Sequence, residues 1–169
     1  MIIIGYQGIG KSTLVKNDLL HQYIDLESGN FWIPEKVINN DAKEGSMFRD
    51  QYWYLAYVNI AEDLSRQRFR VFVSSHEPVR KRLQQSKELV VAIRPDLDLK
   101  DQWLQRLKDR YENSHLDKDY KAYMNAVERF DDNIKEIDRD VYNIIPITSM
   151  TYNIDQLILN FQERDLLHL

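Results

Sequence analysis

The stretch that decides the fold lies at the start of the chain, in residues 5–12. It reads Gly5-Tyr6-Gln7-Gly8-Ile9-Gly10-Lys11-Ser12 and matches the pattern G-x-x-x-x-G-K-[ST] at every fixed position. Glycine is needed where φ is positive or where the backbone must approach phosphate oxygens closely. The β-branched run Ile2–Ile4 precedes the glycines, and residues 11–20, which contain no Gly or Pro, follow them. A strand, a glycine-rich turn and a helix in this order predict a phosphate-binding loop.

The polar residues of this motif have separate predicted roles. Lys11 is expected to reach the β- and γ-phosphates of a nucleotide, the Ser12 hydroxyl to bind Mg²⁺, and Thr13 to contact the α-phosphate. The remaining nucleotide contacts are expected from Gly5, Gly8, Ile9 and Gly10. The motif therefore predicts ATP, or another nucleoside triphosphate, together with Mg²⁺. The alternative is a glycine-rich turn that holds no ligand.

Short apolar segments and longer helical stretches alternate along the rest of the chain. Strands are predicted at residues 2–4, 22–26, 69–74, 89–93 and 142–147. Helices are predicted at residues 11–20, 47–67, 78–87, 101–112, 118–139 and 153–163. This alternation predicts an α/β fold with a parallel sheet and three layers. No repeat or linker divides the chain, so residues 1–169 are predicted to form one domain.

The composition excludes several classes of protein. The chain has no cysteine, which rules out disulfides, Cys-ligated metal sites and a thiol nucleophile. Its net charge of −4 lacks the basic excess of nonspecific nucleic-acid binders, so we expect no nucleic-acid partner. No apolar run approaches the roughly 20 residues that span a bilayer. We therefore expect a soluble, cytoplasmic protein that does not engage membranes.

With the motif placed between strand and helix, the sequence resembles the P-loop NTPases. More narrowly, it resembles the small kinases of nucleoside monophosphates (adenylate kinase-like), shikimate and gluconate. Gly8-Ile9-Gly10-Lys11-Ser12 is similar to their G-x-G-K-[ST] core, and the order of motifs agrees over most of the chain. The resemblance implies a five-stranded parallel sheet ordered 2-3-1-4-5, with helices on both faces. It also implies ATP-dependent phosphoryl transfer to a small molecule, with a nucleoside or deoxynucleoside monophosphate as the first expectation.

Two carboxylates lie at the end of the second predicted strand. Asp25 and Glu27 are similar to the D-x-D of shikimate kinase-like enzymes, which implies contact with a water on Mg²⁺ or with an acceptor hydroxyl. Asp25 and Ser12 would then form the metal site. Alternatively, Asp25 belongs to an Asx-type turn with Ser28.

The segment that follows the third predicted strand is expected to face the acceptor. In the small kinases an arginine entering the next helix holds an anionic group, and Arg80 is the preferred match ahead of Arg82. Ser75 and His76 are predicted substrate contacts, although a lone histidine also fits a packing or capping role. No aspartate ends this strand, so Asp25 must replace the usual carboxylate beyond Mg²⁺, or the metal is bound more loosely.

The acceptor pocket is predicted between this segment, the end of the second strand and an aromatic-rich helix. That helix contains Phe48, Arg49, Tyr52 and Trp53. Arg49 is its predicted substrate contact. The aromatic side chains at helical spacing are more typical of a core face than of a platform for a base.

A charged insertion at about residues 99–140 contains two helical segments without a strand between them, broken near residues 113–115. Arg106 and Arg110 lie four residues apart on one helical face and can converge on one anion. Their spacing is similar to the start of the lid in nucleoside monophosphate kinases, which implies catalytic arginines over the transferring phosphoryl group. Alternatively, they pair with Asp101, Asp109 or Glu112 on a solvated hairpin.

Two other functions fit the same sequence. The chain could be a nucleotide-responsive module with little or no kinase activity, whose helical insertion docks a protein partner. The missing carboxylate after the third strand favours that interpretation. The pair Asp25 and Glu27 favours a kinase for a hydroxyl group on a metabolite that is not a nucleotide. Consumption of ATP with a range of acceptors would separate the three functions.

Overall fold

The computed structural model describes residues 1–167, so the last two residues of the predicted domain, 168 and 169, lie outside the described residues. Its strands are β1 (Ile2–Gly5), β2 (Tyr23–Asp25), β3 (Ile33–Pro34), β4 (Met47–Phe48), β5 (Arg70–Val73), β6 (Val90–Pro95) and β7 (Asn143–Ile147). Its helices are α1 (Lys11–Asn17), α2 (Trp53–Arg66), α3 (Glu77–Leu83), α4 (Lys100–Ser114), α5 (Asp117–Asp140) and α6 (Ile154–Leu167). Single 3₁₀ turns lie at Ser28–Phe31, Glu35–Val37 and Leu97–Leu99.

Five of these strands form one parallel sheet in the order β2-β5-β1-β6-β7. The central strand is β1, whose Ile3 pairs with Phe72 of β5 and with Val91 of β6. The predicted α/β class with a five-stranded parallel sheet is confirmed. With all strands numbered, the order differs from the predicted 2-3-1-4-5, because the unpredicted hairpin β3-β4 intervenes in the chain between β2 and β5. Counted among themselves, the five sheet strands lie in the succession 2-3-1-4-5.

Apolar groups cover both faces of this sheet. Ile2, Ile3 and Ile4 are all fully buried, although successive residues of a strand point to opposite faces. An unbroken β-branched run is typical of a strand buried in this way. Helix α1 contacts α6, whereas α2 contacts α3, and α3 contacts α5. The arrangement is consistent with a three-layer sandwich. Within residues 1–167, no helix combines the length and the apolar character that crossing a membrane requires.

Two of the predicted helices are shorter in the structure. The helix predicted at residues 11–20 ends at Asn17, because the carboxylate of Asp18 accepts hydrogen bonds from the backbone N–H groups of Leu20 and Tyr23. These bonds offer the backbone an alternative to another helical turn. The helix predicted at residues 78–87 occupies Glu77–Leu83.

The prediction of a helix at residues 47–67 was wrong at its start. Gly45, with φ of 82°, precedes strand β4, and α2 begins only at Trp53. The carboxylate of Asp50 accepts a hydrogen bond from the backbone N–H of Tyr52 at 2.6 Å, which closes a turn before the helix. Arg49 therefore lies in a loop and not on the helix.

The predicted helical insertion is present as α4 and α5. His115 adopts a left-handed conformation between them, with φ of 54°, so the predicted break is confirmed. Helix α5 is itself kinked, because Arg129 leaves the helical conformation at φ −136° and ψ 20°. Phe130, Ile134 and Ile137 follow this kink and are buried in the core. Ala126, which precedes the kink, is also fully buried, so α5 packs against the core on both sides of the kink.

Tyr57 of α2 links the ends of two neighbouring sheet strands. Its buried hydroxyl donates to the carbonyl of Leu26 at 2.6 Å and accepts from the N–H of Ser74 at 2.9 Å. Burial raises the pKa of Tyr57 to about 12, so the hydroxyl stays protonated. We expect Tyr57→Phe to lower the free energy of unfolding by about 1–2 kcal/mol, because both backbone groups lose their partner.

Urea denaturation measures this effect, with Tyr142→Phe as the control. The side chain of Tyr142 is fully exposed, so its hydroxyl can be removed without exposing a buried partner. Equal unfolding free energies for the two variants would show that the Tyr57 hydroxyl does not hold the strand ends together.

Candidate anion-binding site

The glycine-rich loop joins β1 to α1 at the carboxyl edge of the sheet. Gly8 and Gly10 both adopt left-handed conformations, with φ of 84° and 92°. A Cβ atom at Gly8 would lie 2.8 Å from Cδ2 of Leu107, so α4 packs directly onto the loop. The left-handed backbone conformation favours glycine at this position, and the side chain of Leu107 would have to shift to admit a Cβ atom.

Asp25 ends β2 beside the same loop. Its Oδ1 lies 2.9 Å from Nζ of Lys11, and its Oδ2 accepts a hydrogen bond from Oγ of Ser12 at 3.0 Å. The sheet brings these groups together, because the carboxyl ends of parallel strands meet at one edge. No hydrogen bond joins Asp25 to Ser28 within residues 1–167, so the alternative of an Asx turn was wrong.

A cavity of about 850 Å³ opens onto the loop. Most of the predicted site residues line it, namely Gly5, Gly8, Gly10, Lys11, Ser12, Thr13, Glu27, Ser75, His76, Arg80, Arg106 and Arg110. Ile9, Asp25 and Arg49 are not part of its lining in the described chain. The cations of the lining, which are Lys11, Arg80, Arg106, Arg110, Lys118 and Arg129, outnumber its carboxylates, which are Glu27, Glu77, Asp119 and Glu136. The cavity therefore favours an anionic ligand.

Arg106 and Arg110 both face this cavity, but their surroundings differ. Nη2 of Arg106 lies 3.8 Å from the Cβ position of Gly10, and its guanidinium lies over the rings of Trp103 and Tyr152 at 5.4 and 5.5 Å. No carboxylate pairs with Arg106 in the part of the chain that the structure describes. The cation nearest to the glycine loop on α4 is therefore available to a ligand.

Arg110 instead forms an ion pair that the sequence analysis did not predict. Its Nη2 lies 2.6 Å from Oδ1 of Asp119 on α5, and not beside Asp101, Asp109 or Glu112. The carboxylate of Asp119 is almost fully buried, and its Oδ2 accepts a hydrogen bond from Ser114. In this structure Arg110 neutralises a buried charge and ties α4 to α5.

Arg80 is also held by protein groups. Its Nε donates to Asp140 at 3.0 Å, its Nη2 donates to Glu136 at 2.9 Å, and its Nη1 donates to the carbonyl of Ser75. Burial alone would raise the pKa of Asp140, but hydrogen bonds from Arg139, Lys81 and Arg80 outweigh it and hold that pKa well below its usual range. Arg80 thus anchors α3 to α5, and an anion in the cavity would have to displace one of its partners. The less favoured Arg82 lies 3.8 Å from Glu62 of α2.

The wall of the cavity next to β5 contains His76, whose ring stands edge-on to Trp53 with centroids 5.6 Å apart. Burial lowers the pKa of His76, and the charges of Arg49 and Arg80 lower it further, so the ring is neutral at pH 7. The guanidinium of Arg49 stacks 3.2 Å from the centroid of Trp53. Its Nε and Nη2 atoms are buried and have no hydrogen-bond partner in residues 1–167. Two donors beside the cavity therefore lack an acceptor.

Sequence reasoning missed the contribution of α5 to the cavity wall. The side chains concerned share one face of the helix and are Lys118, Ala122, Asn125, Arg129, Asn133 and Glu136. Their spacing of three or four residues was a usable signal, but in a charged segment it equally fits a solvated face. Gln7 of the loop reaches the same wall, where its Nε2 donates to Oδ1 of Asn125 at 3.4 Å.

Comparison with known proteins adds no further assignment: no protein-family model and no curated protein matches this chain. What the chain does is therefore inferred from this site, in which a positive cavity opens on a glycine loop beside Lys11, Ser12 and Asp25.

Proposed function

We propose that this protein is a P-loop phosphotransferase that uses ATP, or another nucleoside triphosphate, to phosphorylate a small molecule. The observation that carries the proposal is the convergence of Lys11, Ser12 and Asp25 at a left-handed glycine loop. A structural turn alone does not require a lysine, a hydroxyl and a carboxylate at the mouth of a positively charged cavity. These are the groups that bind the phosphates of a nucleoside triphosphate and its metal ion in P-loop proteins.

The oxygen donors at the loop fit Mg²⁺. Ser12 and Asp25 present a hydroxyl and a carboxylate 3.0 Å apart. No group of three or more His, Asp or Glu side chains arranged to hold a metal occurs within residues 1–167. A Mg²⁺ ion at the loop would take one carboxylate and one hydroxyl from the protein, with waters and the phosphates of its nucleotide as the other ligands. When bound, the ion would neutralise charge on the phosphates, and Ser12 and Asp25 would hold it.

The cations around the cavity supply the other needs of phosphoryl transfer. Lys11, which pairs with Asp25 in this structure, would exchange that carboxylate for the phosphates of the nucleotide. The guanidinium of Arg106 lies beside Gly10. Positioned charges of this kind stabilise the transition state without covalent chemistry by the protein. Helix α4 packs against the loop, and residues of α4 and α5 line the cavity beside it.

The acceptor side supports a substrate with its own anionic group, which agrees with a nucleoside or deoxynucleoside monophosphate. Arg49 offers two buried donors that lack an acceptor, and it lies next to His76 at the cavity. Glu27 and Ser75 line the cavity and offer hydrogen bonds for hydroxyl groups of the acceptor. Arg49 does not line the cavity, so its buried donors would have to become accessible before a phosphate could reach them, whereas Glu27 and Ser75 already line it.

Incubation of the purified protein with Mg²⁺ and ATP tests this function. Nucleoside monophosphates, sugars and hydroxy acids serve as acceptors, and phosphorylated product is detected by mass spectrometry. We expect transfer to a nucleoside monophosphate. Transfer only to an uncharged hydroxyl compound would favour the metabolite kinase, and ATP binding without transfer to any compound would overturn the enzymatic proposal.

A nucleotide-binding module without transfer is the second candidate, and one observation favours it. The segment after β5 contains Ser74 and Ser75 where a metal-binding carboxylate commonly lies in P-loop proteins, and Asp25 instead pairs with Lys11. In such a module, nucleotide binding would alter the contacts of α4 and α5 with the loop. The acceptor experiment separates this candidate from the kinase.

Asp25 provides a test of the metal site. Asp25→Asn keeps the size of the side chain and removes its charge, so we expect about a tenfold loss of transfer and a higher Mg²⁺ requirement, because a hard carboxylate ligand is lost. Activity is measured as a function of Mg²⁺ concentration, with Asp98→Asn, the same change at an exposed residue that does not line the cavity, as the matched control. An unchanged Mg²⁺ dependence with a lower melting temperature would show that Asp25 serves only as the structural partner of Lys11.

A further inference from the structure

Two aromatic side chains from different elements hold the backbone of the glycine loop. The indole Nε1 of Trp103, on α4, donates to the carbonyl of Gln7 at 2.9 Å. The hydroxyl of Tyr152, in the segment between β7 and α6, donates to the carbonyl of Ile9 at 2.8 Å. Their rings are stacked, with centroids 6.2 Å apart and an angle of 18° between their planes. We call Trp103 and Tyr152 the aromatic pair.

These two hydrogen bonds set the directions of two backbone N–H groups. In a trans peptide the carbonyl and the following N–H point in opposite directions. With the carbonyls of Gln7 and Ile9 turned toward the aromatic pair, the N–H groups of Gly8 and Gly10 are turned away from it. Neither N–H donates to a protein acceptor within the described residues, and both glycines line the cavity. Unpaired backbone donors in a left-handed loop form a site for an anion.

The aromatic pair also orients a charged side chain beside these donors. The guanidinium carbon of Arg106 lies 5.4 Å from the ring centroid of Trp103 and 5.5 Å from that of Tyr152. Both rings lie within the range of a cation–π contact. The same two residues therefore fix two backbone donors and one cation around the position of Gly10.

We propose that Trp103 and Tyr152 are positioning residues for polyphosphate binding, an inference that rests on the proposed function. They hold the peptide planes of residues 7–8 and 9–10 so that Gly8 and Gly10 present their N–H groups to the phosphates. Core packing explains the buried ring of Trp103. It does not explain why the indole of Trp103 and the hydroxyl of Tyr152 both donate to carbonyls of the loop. Each of these carbonyls belongs to the residue directly before a glycine.

The probe is inorganic tripolyphosphate with Mg²⁺, which carries the phosphates without a base or sugar. The variants are Tyr152→Phe, which removes only the hydroxyl donor, and Trp103→Phe, which removes the indole donor and also shrinks a fully buried ring. We expect the affinity of each variant for tripolyphosphate, measured by calorimetry, to fall about fivefold to tenfold, since a preorganising hydrogen bond is lost. Tyr23→Phe is the control. It removes a tyrosine hydroxyl that donates to Asp155 at 2.5 Å, and neither residue lines the cavity.

The NMR signals of the glycine N–H groups provide a second measurement. If the aromatic pair were purely structural, its replacement would not change the signals of individual glycines selectively. The chain has five glycines, so selective ¹⁵N-glycine labelling gives five backbone signals. Tripolyphosphate should shift the signals of Gly8 and Gly10 in the parent protein. Trp103→Phe should weaken the response of Gly8, and Tyr152→Phe should weaken that of Gly10, because each lost hydrogen bond precedes one glycine.

The outcomes separate this inference from the proposed function. If the parent protein binds tripolyphosphate and Tyr152→Phe binds it equally well, the positioning role is overturned while the phosphotransferase proposal stands. If the parent protein does not bind tripolyphosphate, both are overturned. Tyr152 is only half-buried, so Tyr152→Phe decides the question even where Trp103→Phe fails to fold.

Discussion

Replacement of Lys11 with alanine is expected to lower kcat/KM for ATP by about 10³-fold. The ammonium group lies at the start of α1, 2.9 Å from Asp25, with about a quarter of its side chain exposed. It is therefore free to move to the phosphates, where its charge acts in both the bound state and the transition state. We expect weaker ATP binding by calorimetry as well as slower transfer. The melting temperature should also fall, because the carboxylate of Asp25 is only 10% exposed and loses its cation, so both measurements are made at a temperature at which the variant is folded.

The controls for this experiment come from the same region of the chain. Lys16→Ala removes a cation from the exposed last turn of α1 and should leave activity unchanged. Lys11→Ala also leaves Asp25 without its cation, and that charge would by itself repel ATP. The double variant Lys11→Ala/Asp25→Asn removes this repulsion, and it should still bind ATP more weakly than Asp25→Asn alone. Unchanged ATP affinity in a folded Lys11→Ala protein would contradict the proposed role of the loop.

The loop and the sheet could be predicted from the sequence because their signals are local. Three glycines in six positions, a β-branched run before them and a lysine and a serine after them lie within residues 2–12. The alternation of apolar and helical segments predicted the parallel sheet, since strands buried on both faces read as short apolar runs. The hairpin β3-β4 was missed because it pairs only two residues in each strand.

The partners of the charged side chains could not be predicted, because they depend on tertiary contacts. Arg110 pairs with Asp119 across the turn at His115, although nearer carboxylates lie on its own helix. Arg80 was predicted to bind substrate, and in the structure it donates hydrogen bonds to Asp140 and Glu136. Both carboxylates are more than fifty residues away in the chain. Spacing along one helix indicates which residues share a face. It does not indicate which charges another helix brings to that face.

The aromatic pair illustrates the same limit. Trp103 and Tyr152 are far apart in the sequence, and neither belongs to the glycine motif. Helix α4 and the segment after β7 both pack against the loop. This packing brings the indole of Trp103 to the carbonyl of Gln7 and the hydroxyl of Tyr152 to the carbonyl of Ile9. A motif therefore identifies the residues that contact a ligand more readily than the residues that hold the motif in place.

The second large loss of activity is expected on replacement of Arg106, and Arg110 provides the matched comparison on the same helix. Both arginines line the cavity, but only Arg110 is neutralised by a carboxylate in the described structure. If Arg106 meets the transferring phosphoryl group, Arg106→Ala should raise the barrier by about 2–4 kcal/mol, or lower kcat roughly 30- to 1,000-fold. The affinity for ATP should stay nearly intact, because the contact strengthens in the transition state.

Arg110→Ala should show the opposite balance of effects. Its loss leaves the buried carboxylate of Asp119 without a cation, so the melting temperature should fall while kcat falls less than about tenfold. Arg106→Lys keeps a positive charge but lacks the planar group that stacks on Trp103 and Tyr152, and it should recover only part of the rate. A kcat within about threefold of the parent for Arg106→Ala corresponds to less than roughly 1 kcal/mol. Such a result would show that α4 carries no catalytic arginine at this position, and that its charges serve only to hold α4 and α5 over the loop.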